Sequence, residues 1–338
     1  MLIRHAVSRR TFLVGLAGFG LAPVLDPFDV FRFGQSVSVA IVGLGGKGSQ
    51  VLGQALSLGI RVRALCDLKK DAAWTTLEEL RVSDQEILVT DHLQQLLRAH
   101  PLDAVVLTIP PAQRPDIVRH ALMARKHVLV PAPFANNKEE MAGLQALAAA
   151  QQSMIMHAPV CWNWDLKSIA QAVILPPGRI HQVECEYASR TPGDQSILRM
   201  LDAACLGQQS LGYRQPSWVC AYQFDKGLRQ AVEIRFAGKH PGTLWVHESP
   251  FPPANDSDQV LRIRLKGELA TTECVVASHP AQSDSLAGPN GLSAFVRKID
   301  RQDIAEWDRE TTEAIKTCEL ALAIEESSHT GSSLSMIG

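Results

Sequence analysis

The stretch Val37–Asp67 restricts the fold more than any other part of this chain. A short apolar run, Val37–Val42, leads into Gly43-Leu44-Gly45-Gly46-Lys47-Gly48. An apolar helix then runs toward Leu58, and a second strand, Arg61–Cys66, ends in Asp67. Gly43, Gly45 and Gly48 stand at the G-x-G-x-x-G spacing: the first for a tight turn, the second for close approach of a pyrophosphate to the backbone, the third for close packing of helix on sheet. An acid about 20 residues further on is placed to accept ribose hydroxyls. Gly43, Gly45, Gly46, Lys47, Gly48 and Asp67 are therefore candidate dinucleotide-binding residues. The Asp67 carboxylate would repel a 2′-phosphate and so favours NAD over NADP, while Lys69 and Lys70, close by in sequence, pull the other way.

The alternation of strand and helix continues. Lys69–Arg81 reads as a helix and Ile87–Thr90 as a strand, with Asp91 as N-cap of a helix over His92–Ala99. Ala104–Ile109 is a continuous apolar run, as expected of a strand buried on both faces of a parallel sheet. It ends at Pro110-Pro111, on the carboxyl edge where ligands sit, which adds Pro110 to the candidate site. Ala112–Ala124, His127–Val130, Asn137–Gln152 and Met154–His157 complete a doubly wound α/β Rossmann domain over 37–158. Beyond it, Ile180–Tyr187, Ser217–Phe224, Ala231–Phe236, Thr243–His247, Val260–Leu265 and Thr272–Ala277 alternate as half-buried strands do. Residues 159–338 thus read as an α+β domain with a largely antiparallel open sheet, closed by Phe295–Ile299 and a long helix over Glu310–Ile324.

Composition enters by exclusion. With 338 residues, 46% hydrophobic and 20% charged, the chain has material for two domain cores. A net charge of −2, with no run of Lys or Arg, offers nucleic acid no electrostatic footprint. Seven scattered cysteines without a C-x-x-C pair argue against a disulfide framework or zinc site. His181, His240, His247 and His279 lack metal-ligand spacing.

The N-terminus carries its own signal. Ser8-Arg9-Arg10-Thr11-Phe12-Leu13 precedes an uncharged apolar run to Leu25, the pattern of a twin-arginine export signal. Its best small-residue cleavage site, Gly20-Leu21-Ala22, is followed by Pro23. The expectation is an uncleaved segment, 1–25, anchoring the protein on the periplasmic side. Residues 26–36 form a linker whose Phe28, Phe31 and Phe33 either lie at the membrane interface or cover the first strand.

The order of glycine loop, Cys66-Asp67, Asp103-Ala-Val-Val-Leu-Thr with Pro110, and Lys126-His127-Val128-Leu129 resembles the Gfo/Idh/MocA family, named for glucose-fructose oxidoreductase and inositol dehydrogenase. Gly178-Arg179-Ile180 and Lys266-Gly267-Glu268-Leu269 are similar to that family's second domain. The resemblance implies an NAD(P)-dependent oxidoreductase acting on CH–OH groups, with a Glu-Lys-Pro motif after the lysine-histidine-valine strand and a D-x-G-x-H-x-x-D motif in the second domain. Here the first motif reads Pro131-Ala132-Pro133, and the second Gln195 through Asp202, with Arg199 at the histidine position and only Asp202 retained. An alanine methyl cannot shuttle a proton, and an arginine that stays protonated cannot accept one. The resemblance also makes Arg114 a departure from a family histidine, and a site for an anion shared by Arg114 and Arg199 is one consequence. Another replaced family segment is Trp162-Asn163-Trp164-Asp165, whose tryptophans stack on a ligand or pack between domains. The expected function is a non-catalytic structural or interaction subunit at a membrane, partnered by membrane-associated proteins or by its own copies through the second-domain sheet. The alternative is an active NAD-dependent oxidoreductase on a sugar or polyol with a rearranged site.

Overall fold

A computed structural model of the chain describes residues 37–82, 87–98, 101–158, 179–189, 216–224, 229–237, 241–248, 259–278 and 291–336. It divides into two compact units. One comprises 31–162 together with 284–322, the other 1–30, 163–283 and 323–338. This division places 284–322 with the parallel sheet, whereas the sequence reading groups 159–338 together.

In the first of these units, six strands form a wholly parallel sheet: β1 (Ser38–Val42), β2 (Arg61–Cys66), β3 (Leu88–Thr90), β4 (Ala104–Leu107), β5 (His127–Val130) and β6 (Ile155–His157). Their spatial order is β3-β2-β1-β4-β5-β6. The chain direction across the sheet reverses between β1 and β4, and ligands bind at the carboxyl ends beside such a switch point. β1, β4 and β5 are buried along their whole length, as strands covered on both faces must be. Helix α1 (Gly46–Ser57) follows the glycine loop and buries Gly48, Val51, Leu52 and Ala55, one stripe at helical spacing. Helices α2 (Lys70–Glu79), α3 (Leu93–Leu97), α4 (Arg114–Met123) and α5 (Lys138–Gln151) connect the later strands. Asn137 caps α5: its side chain accepts the Glu140 N–H at 2.8 Å, while the Glu140 carboxylate reaches back to the Asn136 N–H at 2.9 Å.

Three sequence expectations shift at element ends. The strand expected to reach Ile109 stops at Leu107, because the Thr108 hydroxyl turns to donate to the Gly43 carbonyl at 2.5 Å. The helix expected from Ala112 opens as a 3-10 turn over Pro111–Gln113 before becoming α-helical at Arg114. Asp91 does not cap α3; the N-cap residue is His92, and the Asp91 carboxylate meets Lys70 instead.

The same unit is completed from the far end of the chain. Helix α6 (Gly291–Asp300) buries Leu292, Phe295, Val296 and Ile299 in the core formed with Val39, Ile41, Val51 and Leu52. Helix α7 (Ile304–Thr330) begins six residues before the expected Glu310. Its Thr311 hydroxyl accepts the Ile155 N–H at 3.0 Å, and its Cys318 sulfur accepts the Phe134 N–H at 3.4 Å. Lys298 of α6 holds Glu306 and Glu310 of α7 at 2.7 and 2.8 Å.

The other unit holds a seven-stranded mixed sheet. Its strands are β7 (Ile180–Ser189), β8 (Pro216–Phe224), β9 (Arg229–Phe236), β10 (Gly242–Glu248), β11 (Gln259–Gly267), β12 (Thr271–Ser278) and β13 (Leu334–Ser335). Only the β7–β10 pair is parallel. Alternate residues such as Val183, Cys185, Leu244, Val246, Ile263 and Leu265 are buried. The intervening positions carry ion pairs, Glu184–Arg264 at 2.8 Å and Glu186–Arg262 at 2.7 Å, and a stacked Tyr222–Trp245 pair. Among the described residues no helix is long and apolar enough to cross a membrane, and no group of side chains suits a metal ion. Residues 1–25, expected from the sequence to be an export signal and anchor, lie outside the described residues.

Candidate functional site

The glycine loop sits at the carboxyl end of β1, at the switch point. Gly43 has φ of +92°, and a Cβ there would lie 2.8 Å from the Ile109 side chain. A Cβ on Gly48 would stand 1.9 Å from the Gly43 carbonyl oxygen, so helix α1 can approach the loop only with glycine at this position. At Gly45 and Gly46 an added Cβ meets nothing within 4 Å. These two glycines therefore leave an open cradle in front of the first turn of α1. No side chain caps that turn and no acid lies in it, so its N–H groups are presented outward with the positive end of the helix dipole. A pyrophosphate fits such a cradle.

Asp67 closes one side. Its Oδ2 accepts the Leu44 N–H at 2.6 Å and its Oδ1 the Lys69 N–H at 2.8 Å. Each carboxylate oxygen keeps a further lone pair, enough to take ribose hydroxyls while bracing the loop. Thr108 braces the other side, donating to the Val42 and Gly43 carbonyls. Pro110 is exposed at the start of the 3-10 turn beyond β4. The structure thus gathers Gly43, Gly45, Gly46, Lys47, Gly48 and Asp67 around one loop.

The next strand over carries the catalytic question. Beyond β5, Ala132 is fully buried and joined to Pro133 by a cis peptide bond. Arg114, 4% exposed, lies against this loop. Its Nε donates to the Ile109 carbonyl at 2.9 Å, and its Nη1 donates to the Pro131, Ala132 and Pro133 carbonyls at 3.1 to 3.3 Å. His157, which pairs in register with Val130, has a buried Nε2 without a hydrogen-bond partner. Burial, aided by the Arg114 charge, pushes its pKa down to about 4, so the ring is neutral. The sequence singled out neither the anchoring role of Arg114 nor His157. A strongly polar residue opening a helix just after an apolar strand was the available signal for Arg114. Arg199, Asp202, Trp162 and Trp164 lie outside the described residues.

A family model described as the oxidoreductase family with an NAD-binding Rossmann fold matches residues 37–158. Residues 37–158 are a Gfo/Idh/MocA domain. An uncharacterised oxidoreductase of Schizosaccharomyces pombe is 32% identical over 111 residues, which is 33% of this chain and 30% of the relative's length. The chain thus matches under a third of that curated relative. Among solved structures, the putative myo-inositol dehydrogenase of Sinorhizobium meliloti superposes with a TM-score of 0.67 at 16% identity, over 89% of this chain and 99% of that one. The scyllo-inositol dehydrogenase of Lactobacillus casei, solved with NAD(H) and scyllo-inositol, gives 0.67 at 15% identity over the same shares. At these identities the likeness is one of fold. Residues 37–158 accordingly match the oxidoreductase family with an NAD-binding Rossmann fold.

Proposed function

We propose that the protein binds NAD but has given up the family's proton-coupled hydride chemistry, and that it acts as an exported, membrane-tethered structural or interaction subunit. The observation that carries this reading is Ala132. A fully buried methyl stands where the resemblance calls for a lysine, and no proton donor or acceptor replaces it in that loop. Proton transfer by a positioned side chain contributes roughly 10²–10⁴-fold to rate. Arg199 at the histidine position removes the second such group by sequence. The glycine cradle and Asp67 support retention of the nucleotide, and Ser8–Leu25 supports export and tethering.

The test uses the full chain extracted from membranes. NAD binding is followed by fluorescence, and NADH formation is followed with myo-inositol and a panel of sugars and polyols. The expected outcome is binding without turnover, and co-purification with membrane proteins that is lost when residues 1–36 are deleted. Sustained NAD reduction that disappears in Asp67→Ala would overturn the reading in favour of an active oxidoreductase.

A further inference from the structure

The ribose corner of the site holds more charge than Asp67 alone. Strands β2 and β3 pair in parallel with Cys66 opposite Thr90, so Asp67 and Asp91 leave adjacent strands side by side, about 4.8 Å apart at the backbone. The Asp67 N–H donates to the Thr90 carbonyl at 3.2 Å and keeps the two acids in step. Helix α2 starts at the same corner, with Lys69 as its N-cap and Lys70 as its first residue. A helix N-terminus carrying two lysines is what would welcome a phosphate on the ribose.

The structure disarms that welcome. The Lys70 ammonium lies 2.9 Å from Asp91 Oδ1, and the same oxygen lies 3.4 Å from His92 Nε2. The Lys70 hydrogen bond holds the Asp91 carboxyl below the usual carboxylate range. The backbone N–H of Lys69 is taken by Asp67, and Asp71 sits in the first turn of α2. The Lys70 ammonium is therefore already paired, and Asp67 and Asp91 set two carboxylates at the ends of adjacent strands.

We propose that Asp91 is a second specificity-determining residue, which occupies Lys70 and adds its own charge so that the 2′-phosphate of NADP is refused. This rests on the nucleotide-binding reading above, and it assigns Asp91 to exclusion rather than to contact with NAD. The experiment measures NAD and NADP binding to the full chain by titration calorimetry for wild type, Asp91→Asn, and Asp91→Asn with Lys70→Ala, with thermal melting as a check on folding. Wild type is expected to prefer NAD. Asp91→Asn is expected to gain about tenfold in NADP affinity, with NAD affinity moving less than twofold, since one like charge is removed and one cation is freed. The added Lys70→Ala is expected to cancel that gain. An unchanged NADP-to-NAD ratio in Asp91→Asn overturns the proposal and leaves the nucleotide reading intact. Absence of binding of either nucleotide by wild type overturns both.

Discussion

Gly45 and Gly48 occupy the same loop for opposite reasons. A methyl at Gly48 collides with the Gly43 carbonyl, whereas a methyl at Gly45 enters open space. Gly48→Ala is therefore expected to lower stability by about 1–3 kcal/mol through overpacking, and to weaken NAD binding with it. Gly45→Ala is expected to leave the urea midpoint nearly unchanged, within about 0.5 kcal/mol, and still to lose NAD affinity, because the ligand rather than the protein needs that space. Equal losses of stability in the two variants would contradict this division. Arg114 offers a second residue-scale test. Arg114→Met removes donors from four carbonyls and is expected to cost on the order of 2–4 kcal/mol in chemical unfolding. The glycine loop and Asp67 were legible in the sequence because their spacing comes with a strand before, a helix after and a second strand ending in the acid. Arg114 was not, because its partners are main-chain carbonyls, which leave no trace in a side-chain pattern.

The buried strands and their helices carry predictions of their own. His127 of β5 accepts the Met154 N–H on Nδ1 at 3.0 Å, and burial pushes its pKa down to about 4. His157 of β6 is likewise pushed down to about 4. Both rings are neutral in the folded state at pH values where the unfolded chain, near 6.5, takes up protons. The unfolded state then binds more protons, so stability falls on acidification from about pH 6.5 toward 4, and is fully present above that window. Each histidine contributes a slope of about 1.4 kcal/mol per pH unit within it. Urea unfolding between pH 7 and 5 should show the fall, and His157→Leu should make it shallower; an unchanged slope would remove His157 from the account. At the start of α5, Asn137→Ala should cost about 1 kcal/mol by loss of the N-cap, read as a lower melting temperature. The identities of β1–β12 and of most helices were legible from periodicity, whereas β13 was not. Their ends were not, because Thr108 and Asp91 spend their side chains on residues distant in sequence or across the sheet.

For the molecule as a whole, the domain matched by the family, 37–158, is smaller than the unit that folds around the parallel sheet. Leu292, Phe295, Val296 and Ile299 belong to its core, and Thr311 and Cys318 satisfy N–H groups at Ile155 and Phe134. A fragment ending at residue 158 is therefore expected to lack cooperative thermal unfolding and to bind a hydrophobic dye, unlike the full chain. A sharp melting transition for that fragment would show that α6 and α7 are dispensable. Sequence reading drew its boundary at 158 because the alternation of strand and helix stops there; the return of distant helices leaves only an apolar stripe of ordinary appearance.

That return has a bearing on timing. The nucleotide cradle lies within the first 70 residues, yet the core behind it is finished only by side chains beyond residue 290. A ribosome making this protein must release nearly the whole chain before the cradle can become rigid. Any nucleotide loading would thereby be deferred to the nearly completed polypeptide, the form that a twin-arginine route, the one expected from Ser8–Leu25, would carry.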